Sequence, residues 1–111
     1  MCMTELFHVS SVLNRESIRR HGLDWRRMGA APGIAGPRVP QLAGCFLAIG
    51  EFERRWFTEM NNTGGPVDVW RVDNIATTQL ATSMEGHQFY PGPIGPTHLT
   101  LVEMDVPPVT R

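Results

Sequence analysis

The sequence predicts an α+β domain with a mostly antiparallel sheet and two main helices, on three observations. The chain has 111 residues, 41% of them hydrophobic and 19% charged, which suits one compact domain over 1–111 and leaves no room for a multidomain enzyme. Its 11 glycines and 9 prolines are unevenly spread and cut the chain into short pieces. Between the cuts lie two stretches of helical character and about five of β character.

Leu6-Phe7-His8-Val9-Ser10 is β-prone, and alternation along a strand places Leu6, His8 and Ser10 on one face, Phe7 and Val9 on the other. A helix follows, because Asn14 suits an N-cap, 15–21 contains no breaker, and Gly22 stands where a left-handed residue ends a helix. Over 23–44 the pattern dissolves into glycine, proline and alanine around Arg38. Unstructured loops that long are uncommon in small domains unless they serve a site, so this one is read as a ligand-covering loop, against the plainer reading of a surface loop without function.

Cys45-Phe46-Leu47-Ala48-Ile49 is short and apolar, as a buried strand is. The second helix rests on Phe52, Trp56 and Met60 at four-residue spacing, widened by Phe57, with Glu51, Glu53, Arg54, Arg55 and Glu59 around them. That stripe is expected to face the core, and Glu51 with Arg55 to form an exposed i,i+4 pair. Asn62-Thr63-Gly64-Gly65-Pro66 stops the helix and 67–73 reads as a strand. Residues 79–84 suit a short strand or a turn. Two further strands, 87–90 and 97–104, flank Pro91-Gly92-Pro93-Ile94-Gly95-Pro96. Asn61-Asn62-Thr63 has the form of a glycosylation sequon but reads as a turn sequence.

Composition narrows the function classes. Ten basic residues against 11 acidic give a formal charge of −1, so nucleic acid is not favoured as a partner. No apolar run approaches a membrane span, and the first residues lack a secretory signal, so a cytoplasmic location is expected. Every basic residue is arginine, which removes Schiff-base chemistry and any lysine-dependent phosphate loop. Cys2 and Cys45 form no Cys-x-x-Cys pair, and the histidines at 8, 21, 87 and 98 have no metal-like spacing, so no metal is expected. A nucleophile elbow, a phosphate loop and a zinc-protease motif are all missing. The glycines at 29, 33 and 36 follow a helix end instead of a strand, which rejects a dinucleotide fingerprint.

What remains is an order of parts. Phe7-His8-Val9-Ser10-Ser11 comes first, then a helix ending in Arg20-His21-Gly22-Leu23, then Gly44-Cys45-Phe46-Leu47-Ala48 leading into a helix. Val67-Asp68-Val69-Trp70-Arg71-Val72-Asp73 and the stretch from Phe89 through the proline-rich turn to Val102 close the series. This order resembles small members of the ADP-ribosyltransferase-like superfamily, including the RNA 2′-phosphotransferases and the DarT-type DNA ADP-ribosyltransferases. In them a strand of the type aromatic-His-x-Ser/Thr precedes a helix ending in Gly-Leu, and a proline-rich turn often precedes the last strand. The resemblance implies a split sheet and NAD as the bound substrate, a nucleotide small molecule.

By that resemblance His8 hydrogen-bonds a ribose hydroxyl, Ser10 holds the nicotinamide amide or a phosphate, and Phe46 stacks on the nicotinamide ring. Arg38 is the preferred phosphate fork among Arg19, Arg20, Arg38 and Arg71. Against this stand plainer readings: His8 as a core histidine tied to a backbone carbonyl, and Phe46 as a core phenylalanine. The family's third motif carries a glutamate that stabilises developing positive charge. The matching stretch here is Glu85-Gly86-His87-Gln88-Phe89, so the register brings His87 or Gln88 into the site, and Glu85 only after a shift of two. Glu103 on the last strand is expected to lie away from the ligand.

Three functions stay open at this point. The first is an ADP-ribosyltransferase-like protein that binds NAD and transfers ADP-ribose with loss of nicotinamide. The second is a non-catalytic binding module that kept the fold. The third, an RNA 2′-phosphotransferase relative, ranks last because the chain lacks that group's additional N-terminal domain and basic excess. The acceptor is not named by the sequence, and a short sheet leaves an edge on which a second copy could pair as a homodimer.

Overall fold

A computed structural model of the chain describes residues 5–24, 45–61, 63–82 and 86–108. Seven strands and two helices occur among them: β1 (Leu6–Ser11), α1 (Arg15–His21), β2 (Cys45–Phe46), β3 (Ala48–Ile49), α2 (Gly50–Glu59), β4 (Val67–Val72), β5 (Ala81–Thr82), β6 (Gln88–Tyr90) and β7 (Leu99–Val106). The strands form an antiparallel four-stranded sheet, ordered β3-β1-β4-β7, and a three-stranded sheet, ordered β2-β6-β5. The fold is therefore α+β with an antiparallel, divided sheet.

The apolar run 45–49 is two strands instead of the one expected. Phe46 pairs with Phe89 in the small sheet, Ala48 pairs with Phe7 in the large one, and Leu47 between them is where the chain changes sheets. The Leu47 amide is not lost in the crossing, since it donates to the Gln88 carbonyl at 2.9 Å. One consequence falls on β1. Leu6 and Phe7 are paired on both sides, whereas His8 to Ser11 are paired only with β4 among the described strands.

The large sheet has a core on each face. Leu6, Trp70 and Val72 pack with Ile18 of α1, Leu23, Leu47 and Ile94 on one side. Phe7, Val9, Val67 and Val69 pack with Ala48 and Phe57 of α2 on the other. Both faces of β1 and β4 are thus buried, and the apolar residues of these two strands divide between the two cores. A two-way backbone pairing of Leu23 with Ile94, at 2.8 and 2.9 Å, ties the end of α1 to the proline-rich turn. Gly22 at φ +75° permits this close approach, because a Cβ there would lie 2.0 Å from the Ile94 carbonyl oxygen.

Two local expectations are corrected. Asn14 occupies the N-cap position of α1 but makes no capping bond there; the cap is one turn earlier, where the Ser11 hydroxyl accepts from Leu13 N–H at 3.2 Å. On α2 Phe57 is buried and Met60 packs partly buried against the same core, while Phe52 is 83% exposed and Trp56 half-exposed. The Arg54 guanidinium lies 4.7 Å above the Phe7 ring and joins Glu51 and Glu103, so the helical pair is i,i+3 with Arg54 in place of Arg55. At the sequon, Thr63 N–H and Oγ1 both donate to Asn61 Oδ1.

Candidate functional site

The site is built where the two sheets part. His8 is the first residue of β1 beyond the reach of β3, and its Nδ1 meets the Phe46 carbonyl oxygen at 2.9 Å. A carbonyl only accepts, so Nδ1 carries the hydrogen and Nε2 is left as an acceptor. Burial holds the His8 pKa below its ordinary 6.5, with the bond to Phe46 opposing, so the ring is neutral. The plainer reading of His8 as a histidine tied to a backbone carbonyl thus holds for one nitrogen. It fails for the other: Nε2 is buried and has no hydrogen-bond partner among the described residues.

Across the strand pair, His8 stands opposite Trp70, and Ser10 opposite Asp68. Directly opposed residues share a face of an antiparallel pair, so these four side chains form one row on the face that carries Leu6 and Val72. The Trp70 Nε1–H is likewise buried without a partner. Buried unsatisfied polar groups are rare in folded proteins and cost about 1–3 kcal/mol each. Here two occur on one cross-strand pair, an acceptor on His8 and a donor on Trp70.

The far end of the row is satisfied. Asp68, fully buried, receives Arg15 Nε and Nη2, each at 2.7 Å, and the backbone N–H of Asp105 at 3.1 Å. Arg15 also reaches Asp105 at 2.9 Å, and the two carboxylates push its pKa up. The Asp105 contact coincides with a bulge: β7 slips register against β4 between Val67 and Trp70, turning a bulged N–H onto a buried carboxylate.

On the other side of the split lies an aromatic cluster. The His87 ring is 5.9 Å from Phe46, 5.7 Å from Phe57 and 6.0 Å from Trp56, and Phe46 meets Phe89 edge-on at 6.0 Å. Of the residues chosen from the sequence, Phe46 meets His8 through its backbone carbonyl and His87 through its ring. His8 and Ser10, expected to touch a bound nucleotide, are both packed inside in this structure, 9% and 5% exposed. Gln88 has its side-chain amide on Thr82 Oγ1 at 2.8 Å, an ordinary cross-strand bond. Arg38, Glu85 and the proposed covering loop lie outside the described residues.

Of the remaining forks, Arg19 pairs with Glu16 on α1 and Arg71 with Asp73; Arg71 is opposite Phe7 and so on the reverse face from His8. Glu103 is exposed on β7 and pairs with Arg54, away from the row as expected. Trp70, Asp68 and Arg15 were missed. A tryptophan in a β-branched run reads as core, and only the register against His8 reveals its companion.

A hydroxyl or a primary amide, able to donate to His8 Nε2 and accept from Trp70 Nε1–H, is chemically matched to the unsatisfied pair. A sugar hydroxyl or a primary carboxamide is a group of this kind. Among the described residues there is no group of three side chains able to hold a metal ion, and no helix long and apolar enough to cross a membrane. No family model, curated protein or solved structure matches the chain.

Proposed function

We propose that this protein binds NAD or a related nucleotide at the parting of its two sheets, as an ADP-ribosyltransferase-like protein. The observation that carries the reading is the neutral His8, held by Nδ1 on Phe46 with a buried Nε2 lone pair that nothing among the described residues uses. A ribose hydroxyl donating to Nε2 would satisfy it. The half-buried Phe46 ring, part of the cluster with His87, is the nearby surface for nicotinamide stacking, and Ser10 on the same row is the nearby hydroxyl. Occupancy requires the row to open, because both orphaned atoms are covered in this conformation.

If the protein turns over, the bond between nicotinamide and ribose breaks with its electron pair leaving on nicotinamide. The acceptor's nucleophile bonds to the same carbon and loses a proton. His8 would orient the sugar; Gln88 or Glu85 would have to supply the third-motif function. Gln88 favours the second reading, a non-catalytic binding module, since an amide carries no charge to stabilise an oxocarbenium-like state and is already engaged by Thr82.

A thermal-shift titration separates these outcomes. With NAD or ADP-ribose at about 100 times Kd the protein should gain close to 3 kcal/mol of apparent stability, and His8→Ala should lose that response. Nicotinamide release on incubation with NAD would establish turnover, and its persistence in Gln88→Ala would remove Gln88 from the chemistry. No shift with NAD, ADP-ribose or nicotinamide would overturn the nucleotide reading.

A further inference from the structure

Trp70 has no role in the reading above. Its register partner is His8, its ring lies in the core with Leu6 and Val72, and its one polar atom, Nε1–H, is buried and unpaired. In a core that needed only bulk, phenylalanine would fill this position without a donor to satisfy. Tryptophan there leaves a cost that is recovered only when something accepts from it.

We infer that Trp70 is the second recognition residue of the site: one ligand group donates to His8 Nε2 and accepts from Trp70 Nε1–H. This deepens the nucleotide reading and rests on it. The pair selects a group that both donates and accepts, a sugar hydroxyl or a primary carboxamide. It discriminates against the phosphodiester oxygens of a nucleotide and against carboxylates, which at neutral pH are ionised and offer no hydrogen to the His8 lone pair. The fixed tautomer of His8 makes this selection one-directional, because Nδ1–H is committed to Phe46 and Nε2 has no hydrogen to give. The site would therefore read the ribose or amide portion of its ligand here and leave the phosphates to other residues. Specificity built on pairing buried polar groups is steep, since a ligand lacking the hydroxyl leaves both protein groups unsatisfied.

The test uses the full chain, whose three tryptophans give three indole N–H resonances. Trp70→Phe keeps an aromatic ring, removes the N–H, and identifies the Trp70 resonance by its disappearance. Titration of the wild type with ADP-ribose, which has hydroxyls and no carboxamide, or with nicotinamide, which has the reverse, should move the Trp70 resonance; the ligand that moves it names the group. Sulfate, which is fully ionised and can only accept at neutral pH, should leave it in place. Trp70→Phe should bind the same ligand about two- to tenfold more weakly, the loss expected for one neutral hydrogen bond, while its own melting temperature holds or rises.

If ADP-ribose or NAD binds the wild type with the Trp70 resonance unmoved and Trp70→Phe binds equally well, Trp70 is only core and this inference fails while the nucleotide reading stands. A response to sulfate equal to that with ADP-ribose also overturns it. No binding of any of these ligands overturns both. Should Trp70→Phe not fold, the resonance in the wild type decides.

Discussion

His8 donates through Nδ1 to a backbone carbonyl and is held neutral by burial, and these two facts determine how it responds to acid. In the unfolded chain the imidazole takes up a proton near pH 6.5; in the folded chain it does so only at lower pH. Between those values the unfolded state binds more protons, so stability falls as the pH is lowered from 6.5 toward the folded value and is unaffected by His8 above it. The slope from this one residue is at most about 1.4 kcal/mol per pH unit. His8→Gln, whose amide can still donate to Phe46, should flatten the urea-midpoint profile just below pH 6.5. Asp73, held below its ordinary carboxylate range by Arg71, contributes in a separate window, below pH 3.8, and would be unchanged in the variant. Equal slopes for wild type and His8→Gln would mean that His8 is accessible to protons in the folded protein.

At the scale of one element, α2 shows where sequence reasoning succeeds and where it stops. Its position and length were legible from the aromatic spacing and the Asn-Thr-Gly-Gly-Pro stop. Its rotation was not, because Phe52, Trp56 and Met60 make a regular i,i+4 row while Phe57 is one position off it. The sheet selects Phe57, which fills the gap between Phe7, Val69 and Ala48, and Arg54 covers the Phe7 ring with its guanidinium. A charged residue on the sheet side therefore displaced an aromatic one, which spacing cannot foresee, because the arginine's carboxylate partner Glu103 comes from a strand 49 residues away. Truncation measures the difference. Phe57→Ala should cost about 3–5 kcal/mol in urea unfolding, as a buried phenylalanine does, while Phe52→Ala should stay within about 0.5 kcal/mol. Similar losses at both positions would mean that Phe52 is covered in solution.

For the whole molecule, the decisive event is the change of sheet at Leu47, and the sequence carries no mark of it. Cys45-Phe46-Leu47-Ala48-Ile49 holds no glycine or proline, and a uniform apolar run fits one strand as well as two. His8 and Phe46 could be picked out because they sit in recognisable short motifs; Trp70 and Asp68 could not, since their importance lies in what faces them across β1. The division also sets an order of stability. The large sheet contains the six-residue β1–β4 pairing with a core on each face, whereas the small sheet has only two residue pairs at each joint. Among its backbone ties to the rest is the Leu47 N–H on the Gln88 carbonyl. Local opening draws on such regions, where few contacts must break. In native-state hydrogen exchange the amides of Leu47 and Phe89 should therefore exchange well before those of Val69 and Trp70, which open only with global unfolding. If the parting of the sheets is also the nucleotide site, NAD at about 100 times Kd should slow the Leu47 amide by up to about a hundredfold, because the ligand must leave before the joint can open. Uniform protection across both sheets would show that they open as one unit, and the row of His8 and Trp70 would then have no route by which a ligand enters short of unfolding.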